Sequence, residues 1–293
     1  MKIALAQINP LIGAFTANCD KICANIELAT AQGCDLVVFP EMALTGYPPL
    51  DFLEKPDFFE ASSRQWDRII RASHAIGVIC GVVSKNEENS GKPYFNSALF
   101  CHQGKVLGVV HKRLLPTYDV FDERRYFEPG QKSGWFEFRG RRLGITICED
   151  IWTLEPFIPR LYYRSNPVQD LAVASIDLLI NLSSSPFHLG KSKLVEQLLR
   201  HHVLSTEADC VFVNQVGGND ELLFQGHSLA LDRQGRIAAV GADFEEDFFV
   251  FDTERQNVAV ESTVKDTDWL VWKALKSGLR DYAEKCGFKQ AVL

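Results

Sequence analysis

Apolar residues alternate with polar or small ones along several short segments, and this period of two predicts β-strands. KIALAQI at 2–8 follows the pattern, and so do Leu143, Ile145 and Ile147 just before Cys148. Continuously apolar segments such as DLVVF (35–39) predict strands buried on both faces. The predicted strands are 2–8, 35–39, 78–83, 96–101, 105–111, 142–147, 177–182 and 210–215.

Two pairs of apolar segments are joined by short polar turns and predict β-hairpins. The first joins 96–101 to 105–111 through His102, Gln103 and Gly104. The second spans 228–240 and turns at Arg233, Gln234 and Gly235. Each half of the chain therefore combines alternating strands and helices with one hairpin.

Between the strands, apolar residues recur at helical spacing and predict helices at 21–31, 67–77, 193–205 and 266–288. The last helix places five large residues on one face, namely Trp269, Trp272, Leu275, Leu279 and Tyr282. KQAVL at 289–293 then predicts the beginning of another strand. This alternation predicts an α/β protein in which buried sheets carry helices on their outer faces.

Composition narrows the class of protein. Hydrophobic residues make up 46% of the 293 residues and charged residues 24%, as in ordinary soluble domains. A net charge of −7 argues against nucleic acid or an anionic membrane as partner. No apolar run approaches the roughly 20 residues of a membrane span. Gln7, Asn9 and Pro10 interrupt the first apolar stretch too early for a signal peptide, so we expect a cytoplasmic location.

The eight cysteines form no CxxC pair, and Cys19 and Cys23 fall one turn apart in a predicted helix. In a cytoplasmic chain of this size we expect free thiols rather than disulfides, and no metal site.

Chemically useful side chains stand where predicted strands end, which is where functional groups often lie in α/β sheets. Glu41 ends one hydrophobic segment, Lys112 another, and Cys148 a third, while Ser183–Ser185 and Lys191 lie between a strand and a helix. Each has a plain structural alternative: a solvated loop charge for Glu41 or Lys112, and a packed thiol for Cys148. Their spacing alone does not show that they converge.

The segment SPFHLGKS at 185–192 nearly matches the phosphate-binding loop GxxxxGK[ST], but Ser185 occupies the first glycine position. We therefore expect no nucleotide site there. Lys191 and the backbone N–H groups at the start of a helix would still suit a smaller anion, such as a carboxylate.

Three motifs in order, FPEMALTGYPPLD, HKRLLPTYDVFDERRYFEPG and GITICEDIW, resemble those of the nitrilase (carbon–nitrogen hydrolase) superfamily. FQGHSLALDRQGRIAA at 224–239 is similar to a later hairpin of that family, so the resemblance covers about residues 1 to 260. It implies a four-layer α-β-β-α sandwich that forms homo-oligomers. It also implies a catalytic triad of Glu41, Lys112 and Cys148.

Finer features, including NLSSSPFHLGK, resemble one branch, the glutaminase domains of glutamine-dependent NAD synthetases. That resemblance implies hydrolysis of glutamine to glutamate and ammonia through a cysteine thioester. It implies substrate-binding roles for Tyr118, Ser185 and Lys191, and supporting roles for Glu123, Glu149 and Trp152.

The same resemblance predicts a glutamine amidase domain at 1–262. Residues 263–293 would form a linker helix and the truncated start of a synthetase (ATP pyrophosphatase-like) domain, the expected partner. The glutaminase part would need no cofactor or metal, whereas ATP, Mg and deamido-NAD would be used only in the synthetase domain. The chain contains no Ser-Gly-Gly-type pyrophosphate loop, so we do not expect it to make NAD by itself.

Two other interpretations stay open at this point. One is a stand-alone amidase of the same fold, of the ω-amidase or carbamoylase type, which substrate screening would distinguish. The other is a non-catalytic nitrilase-like module that binds a partner or metabolite. A broken triad would favour such a module, but Glu41, Lys112 and Cys148 are all present.

Overall fold

A computed structural model of the chain describes residues 1–154, 157, 163–255, 260, 266–290 and 292. Two six-stranded sheets lie face to face at the centre of the described part of the chain. No helix in these ranges is both long enough and apolar enough to cross a membrane.

The first sheet has the strand order β14-β1-β2-β3-β4-β5. Its strands are β1 (Lys2–Gln7), β2 (Leu36–Val38), β3 (Gly77–Lys85), β4 (Tyr94–His102), β5 (Lys105–His111) and β14 (Asp247–Asp252). Strands β1, β2 and β3 run parallel, while β4, β5 and β14 pair antiparallel to their neighbours. The β4–β5 turn falls at residues 102–105, which confirms the first predicted hairpin.

The second sheet has the order β13-β12-β9-β8-β7-β6. Its strands are β6 (Gly134–Phe138), β7 (Arg141–Ile147), β8 (Leu178–Ser183), β9 (Asp209–Asn214), β12 (Leu229–Leu231) and β13 (Ile237–Val240). Strands β7, β8 and β9 are parallel. The second predicted hairpin is confirmed as β12–β13, and a separate ribbon joins β10 (Val216–Asn219) to β11 (Leu222–Gln225).

The helices are α1 (Phe15–Ala31), α2 (Pro56–Ser63), α3 (Trp66–Ala72), the single turn α4 (Glu123–Tyr126), α5 (Pro167–Val173), α6 (Lys191–Thr206) and α7 (Thr267–Lys285). Two 3₁₀ turns cover Leu50–Glu54 and Cys148–Ile151.

Strand alternation decides which layer each side chain enters. In β8, Ile180 points into the core between the sheets, whereas Leu179 points outward against α5 and α6. On the opposite side, Ile22 of α1 and Ile69 of α3 cover the first sheet. Each such fully buried aliphatic side chain contributes about 1.5–3 kcal/mol. The layers are therefore helix, sheet, sheet and helix, which confirms the predicted α-β-β-α sandwich.

Several predicted boundaries were wrong. Helix 67–77 ends at Ala72, where the hydroxyl of Ser73 donates to the carbonyl of Ile70, and β3 already begins at Gly77. Helix 21–31 begins earlier, at Phe15. The predicted strand at 289–293 is absent at 289, 290 and 292, and residues 291 and 293 lie outside the described residues. The sequence patterns missed β6, β10, β11, β14, α2 and α5.

Helix α7 is confirmed, but its apolar face points to solvent. Trp272, Leu275, Leu279 and Tyr282 are 61–69% exposed, whereas the buried face consists of Ala274, Ser277 and Asp281. Four large apolar side chains therefore lie together on an exposed face of α7.

Candidate active site

The three residues of the predicted triad follow strand ends at one edge of the two sheets. Glu41 lies just beyond β2, Lys112 directly after β5, and Cys148 directly after β7. The Nζ atom of Lys112 donates to Oε1 of Glu41 at 2.8 Å, and both side chains are fully buried. Cys148 is also buried, and the pKa of its thiol responds to the charges of Glu41 and Lys112. The three functional groups therefore share one buried site.

Lys112 is held between two carboxylates. Its Nζ atom donates to Oε1 of Glu123 at 2.7 Å as well as to Glu41. Burial on its own would lower the pKa of Lys112, but Glu123 and Glu41 together raise it well above the ordinary value. Lys112 is therefore a permanent cation in this site, as buried charges require oppositely charged partners.

Glu123 is oriented from a second side by Tyr47, whose hydroxyl donates to the same Oε1 atom at 2.9 Å. Burial raises the pKa of Glu123 to about 7; Lys112 opposes the rise and Glu41 adds to it. The sequence named Glu123 as a supporting residue, whereas Tyr47 lay unnoticed in the loop after Glu41.

Glu41 is fixed by further donors that sequence reasoning missed. Asn96 Nδ2 donates to its Oε1 at 2.6 Å, and the backbone N–H of Ser184 donates to its Oε2 at 2.8 Å. The hydroxyl of Ser184 also donates to the backbone carbonyl of Glu41 at 3.0 Å. Ser184 lies within the noted Ser183–Ser185 stretch, but Asn96 carried no signal beyond its place at the start of a predicted strand.

Cys148 stands where β7 turns abruptly into the 3₁₀ turn Cys148–Ile151. Its φ of +42° lies in the left-handed region, which is costly for a residue with a side chain and is retained mostly at functional positions. Burial raises the pKa of the Cys148 thiol, Glu41 raises it further and Lys112 opposes the rise. The thiol is therefore protonated at rest and needs a base to become a nucleophile.

Asp150, two residues beyond the thiol, joins the two segments that carry Cys148 and Lys112. Its Oδ1 accepts hydrogen bonds from the N–H groups of Arg113 and Leu114 at 3.0 and 2.9 Å, and its Oδ2 accepts from Ile147 at 3.0 Å. Burial raises its pKa to about 6, against the lowering effect of these N–H donors. The acidic pair after Cys148 is visible in the sequence, but this bridging contact is not.

Two of the residues predicted to bind substrate or support the site, Tyr118 and Glu149, contact each other next to Cys148. The Tyr118 hydroxyl donates to Oε1 of Glu149 at 2.7 Å, and Glu149 also receives a hydrogen bond from Tyr163, which the sequence had not indicated. Burial raises the pKa of Glu149, against the lowering influence of these hydroxyls and of Lys112.

On the neighbouring wall, Lys191 donates to the carbonyl of Pro186 at 2.9 Å and lies 5.9 Å from the centre of the Trp152 ring. Burial lowers the pKa of Lys191, while Cys148 and Glu149 act in the opposite direction. Ser185 is buried, donates its N–H to Asn214 Oδ1 at 2.9 Å, and lines a small cavity together with Lys191.

The chemistry of the site follows from these groups. A buried thiol, a buried carboxylate and a fixed ammonium can carry out nucleophilic attack, proton transfer and stabilisation of an oxyanion. Glu149 adds a buried carboxylate beside the thiol, and Lys191 adds a half-buried ammonium. All eight cysteines are free, and the described residues contain no group of three or more His, Cys, Asp or Glu arranged to hold a metal ion.

Comparison with known proteins places this site in a family. The sequence profile described as carbon–nitrogen hydrolase matches residues 2–260. The glutamine-dependent NAD(+) synthetase of Synechocystis is 40% identical over 301 aligned residues, covering 99% of this chain and 54% of the relative. The enzyme of the same name from Acinetobacter baylyi is 32% identical and matches 100% of this chain and 52% of its own length. The chain thus spans about half the length of these relatives.

Solved structures agree with the fold. A glutamine-dependent NAD+ synthetase from Acinetobacter baumannii, in complex with ADP, superposes with a TM-score of 0.86 at 34% identity, covering 97% of this chain and 52% of that one. An amidase of the nitrilase superfamily from Nesterenkonia AN1 superposes with a TM-score of 0.72 at 21% identity, covering 85% and 89%. The second likeness concerns the fold alone.

Proposed function

Because this chain belongs to the carbon–nitrogen hydrolase family, we propose that its buried site hydrolyses the side-chain amide of glutamine to glutamate and ammonia. The observation that carries the proposal is the contact of Lys112 with Glu41 at 2.8 Å beside the buried Cys148 thiol. The relatives named as glutamine-dependent NAD(+) synthetases support glutamine as the amide.

In the first step, Glu41 takes the proton of the Cys148 thiol as the sulfur attacks the amide carbon. The charge that develops on the amide oxygen is stabilised by the Lys112 ammonium and by backbone N–H groups at the start of the turn Cys148–Ile151. Glu41 then gives its proton to the departing nitrogen. The carbon–nitrogen bond breaks, ammonia leaves, and the acyl group remains on sulfur as a thioester.

In the second step, Glu41 accepts a proton from water, which attacks the thioester carbon. The carbon–sulfur bond breaks, glutamate forms, and the proton returns to the thiolate of Cys148. Lys112 stays protonated throughout, because its pKa is held well above the ordinary value by Glu123 and Glu41. The ammonium is thus a fixed charge rather than a proton carrier.

Specificity for glutamine follows from opposite charges beside the thiol. Glutamine carries an α-ammonium and an α-carboxylate in addition to its amide. Glu149, oriented by Tyr118, suits the α-ammonium, while Lys191 and Ser185 suit the α-carboxylate. Glu149 is buried and Lys191 is half-buried, so an amide that lacks these two charges would leave both groups poorly solvated and without a charged partner on the substrate, which disfavours its binding.

We further propose that the ammonia serves an ATP-dependent synthetase portion that amidates deamido-NAD to NAD. The support is the name of the relatives and the fact that this chain spans about half of each. Residues 263–293, predicted as a linker helix and the start of that portion, include α7 with its exposed apolar face. That face suits contact with the synthetase portion, because exposing large apolar side chains to water is unfavourable and burying them against a partner is favourable.

The decisive experiment measures ammonia and glutamate released from glutamine by the wild type and by Cys148→Ala. We expect the variant to lose all detectable turnover while its thermal unfolding changes little. Cys210→Ala, which removes another buried thiol away from the site, is the matched control and should keep wild-type turnover.

Substrate choice is tested in the same assay with asparagine, ω-amides lacking an α-amino group, and N-carbamoyl amino acids. If Glu149 binds the α-ammonium and Lys191 the α-carboxylate, we expect kcat/KM to be at least about tenfold higher for glutamine than for the other amides. Equal turnover by wild type and Cys148→Ala would reject the mechanism, and a stronger preference for another amide would reject the substrate.

A further inference from the structure

The first turn of α6 carries Lys191 into the site, but this turn has no side-chain cap. The preceding residue is Gly190, with φ of +83°, and it has no side chain that could cap the helix; the N–H of Lys191 donates instead to the carbonyl of His188 at 3.2 Å. Something else must hold the turn in place.

Two hydrogen-bonded arms reach this turn from the β11–β12 region, and both end on Asp243. We propose that Asp243, with His227 and Gln225, forms a brace that positions Lys191 and thereby sets the affinity for the α-carboxylate of the substrate. This inference rests on the proposed function, because it assigns the brace to glutamine binding.

The first arm is ionic. His227 lies between two carboxylates, with Nδ1 2.7 Å from Oδ1 of Asp243 and Nε2 3.3 Å from Oε1 of Glu196, which belongs to α6. Burial would lower the pKa of His227, but hydrogen bonds to Asp243 and Glu196 raise it to about 9. The ring is therefore charged at neutral pH and links α6 to Asp243 through two charge-assisted hydrogen bonds.

The second arm is neutral and runs beside the first. The hydroxyl of Ser192, the residue after Lys191, donates to Oε1 of Gln225 at 2.8 Å. Gln225 Nε2 in turn donates to Oδ1 of Asp243 at 2.8 Å. Residues 192 and 196 lie one turn apart on the same face of α6, so the two arms hold that face of its first two turns.

Two residues in or next to the brace have strained backbone conformations, which indicates that surrounding contacts hold them in place. His227 has φ of +54° and Phe244, next to Asp243, has φ of +60°, so both lie in the left-handed region. Such conformations are strained for residues with a side chain and persist where surrounding contacts over-determine them. Here the backbone N–H of Phe244 donates to the carbonyl of Gln225 at 2.7 Å, and the side-chain arms complete the cluster.

The brace also borders the substrate-binding residues directly. Lys191, Ser192, Gln225 and His227 line the same small cavity as Ser185. A shift of the first turn of α6 would therefore move the Lys191 ammonium, whereas Cys148, Glu41 and Lys112 lie on other segments and would keep their contacts.

The test is steady-state kinetics of glutamine hydrolysis by Asp243→Asn and by His227→Gln. We expect KM to rise roughly tenfold in each, as for the loss of one charge-assisted contact, while kcat stays within about twofold. Asp232→Asn is the matched control: this buried aspartate of the β12–β13 turn pairs with Arg236 and accepts hydrogen bonds from the N–H groups of Gln234 and Arg236 in its own turn. It should lower stability but leave KM unchanged.

A double-mutant cycle shows whether the brace acts through Lys191. Once Lys191→Met has removed the ammonium, adding Asp243→Asn should change KM less than about twofold. An undiminished effect in that background, an unchanged KM in both single variants, or a fall in kcat alone would overturn the inference. Absence of glutamine turnover in the wild type would instead reject the proposed function, and the brace with it. If Asp243→Asn does not fold, His227→Gln carries the same comparison.

Discussion

Three charged groups share the interior of the site, namely the ammonium of Lys112 and the carboxylates of Glu41 and Glu123. Removing two carboxylates and one ammonium from water is costly, and their mutual contacts together with the donors Tyr47, Asn96 and the Ser184 N–H compensate for it. The arrangement therefore depends on every member. A site of this kind is retained for its chemistry rather than for the stability it adds.

Replacing Lys112 with Met should abolish turnover and destabilise the fold by about 3–5 kcal/mol, because two buried carboxylates would face each other without a cation. Urea unfolding monitored by circular dichroism measures the loss. Adding Glu123→Gln to Lys112→Met should recover much of that stability but no activity. If Lys112→Met alone is as stable as the wild type, the two carboxylates are not held ionised by this ammonium.

Glu123 should also give stability a distinct dependence on pH. Its pKa is raised by burial from 4.5 to about 7, so between these values the folded state binds a proton that the unfolded state has released. Stability from this group is thus full below pH 4.5 and declines up to pH 7. The slope approaches about 1.4 kcal/mol per pH unit for one proton. The difference between wild type and Glu123→Gln, measured by urea unfolding from pH 4.5 to 8, isolates this slope; parallel curves would contradict it.

At this scale, the sequence could name Glu41, Lys112 and Cys148 because the motifs around them resemble a family. It could not show that Asn96, Ser184 and Tyr47 hold the carboxylates of Glu41 and Glu123 in place. The role of these residues depends on contacts between atoms of different strands and loops, which the sequence does not show. An asparagine or a tyrosine in a strand or turn is common in proteins and does not by itself indicate a functional site. The roles assigned to the named residues remain predictions until the variants above are measured.

At the scale of elements, the segment that presents Glu41 crosses β3 at Gly81. A Cβ atom at Gly81 would lie 2.3 Å from the backbone N of Met42 and 2.3 Å from the carbonyl O of Pro40. The two backbones also exchange hydrogen bonds, from Gly81 N to Pro40 O and from Leu44 N to Gly81 O. Only glycine permits this approach, and the approach fixes where Glu41 stands.

Gly81→Ala should therefore displace the Glu41 segment. We expect a loss of about 1–3 kcal/mol in stability from overpacking. Turnover should fall by roughly a hundredfold or more, as a 1 Å misplacement of a catalytic group can cost that much. The control is Gly278→Ala in α7, where a Cβ meets nothing within 4 Å, so stability should hold or rise slightly. Near-normal turnover in Gly81→Ala would mean that this crossing does not position Glu41.

The pattern of apolar residues predicted which helices and strands exist better than it predicted the residues at which they begin and end. Alternating or continuous apolar segments identified the inner strands of both sheets, because a strand that is buried on one or both faces must carry apolar residues at regular positions. Strand β14 at the edge is half-exposed and was missed. The predicted helix 67–77 was too long. Its apolar spacing continues through residues 73–76, but in the structure these residues lead into β3. The four layers themselves came from the family resemblance, not from periodicity.

At the scale of the whole molecule, α7 is attached through its polar face. Asp281 accepts hydrogen bonds from Asn9 Nδ2 at 2.7 Å and from Gly218 N at 2.8 Å. Lys285 donates to Asn9 Oδ1 at 2.6 Å and to Asn219 Oδ1 at 2.8 Å. Helical periodicity correctly grouped the apolar residues on one face, but it could not tell whether that face meets this domain or another. The polar face carries these contacts and the apolar face stays exposed, which suits the partner proposed above.

If that partner is the synthetase portion, the double variant Leu275→Glu/Leu279→Glu should bind a separately produced C-terminal half of a relative at least about tenfold more weakly, because two charges would enter an apolar contact. Both leucines are more than 60% exposed, so the fold and the basal hydrolysis of glutamine should not change. Sedimentation or calorimetry measures the affinity. Leu204→Glu on α6, where another leucine is 58% exposed outside this face, is the control and should bind like the wild type. Equal affinity of the double variant and the wild type would place the partner elsewhere.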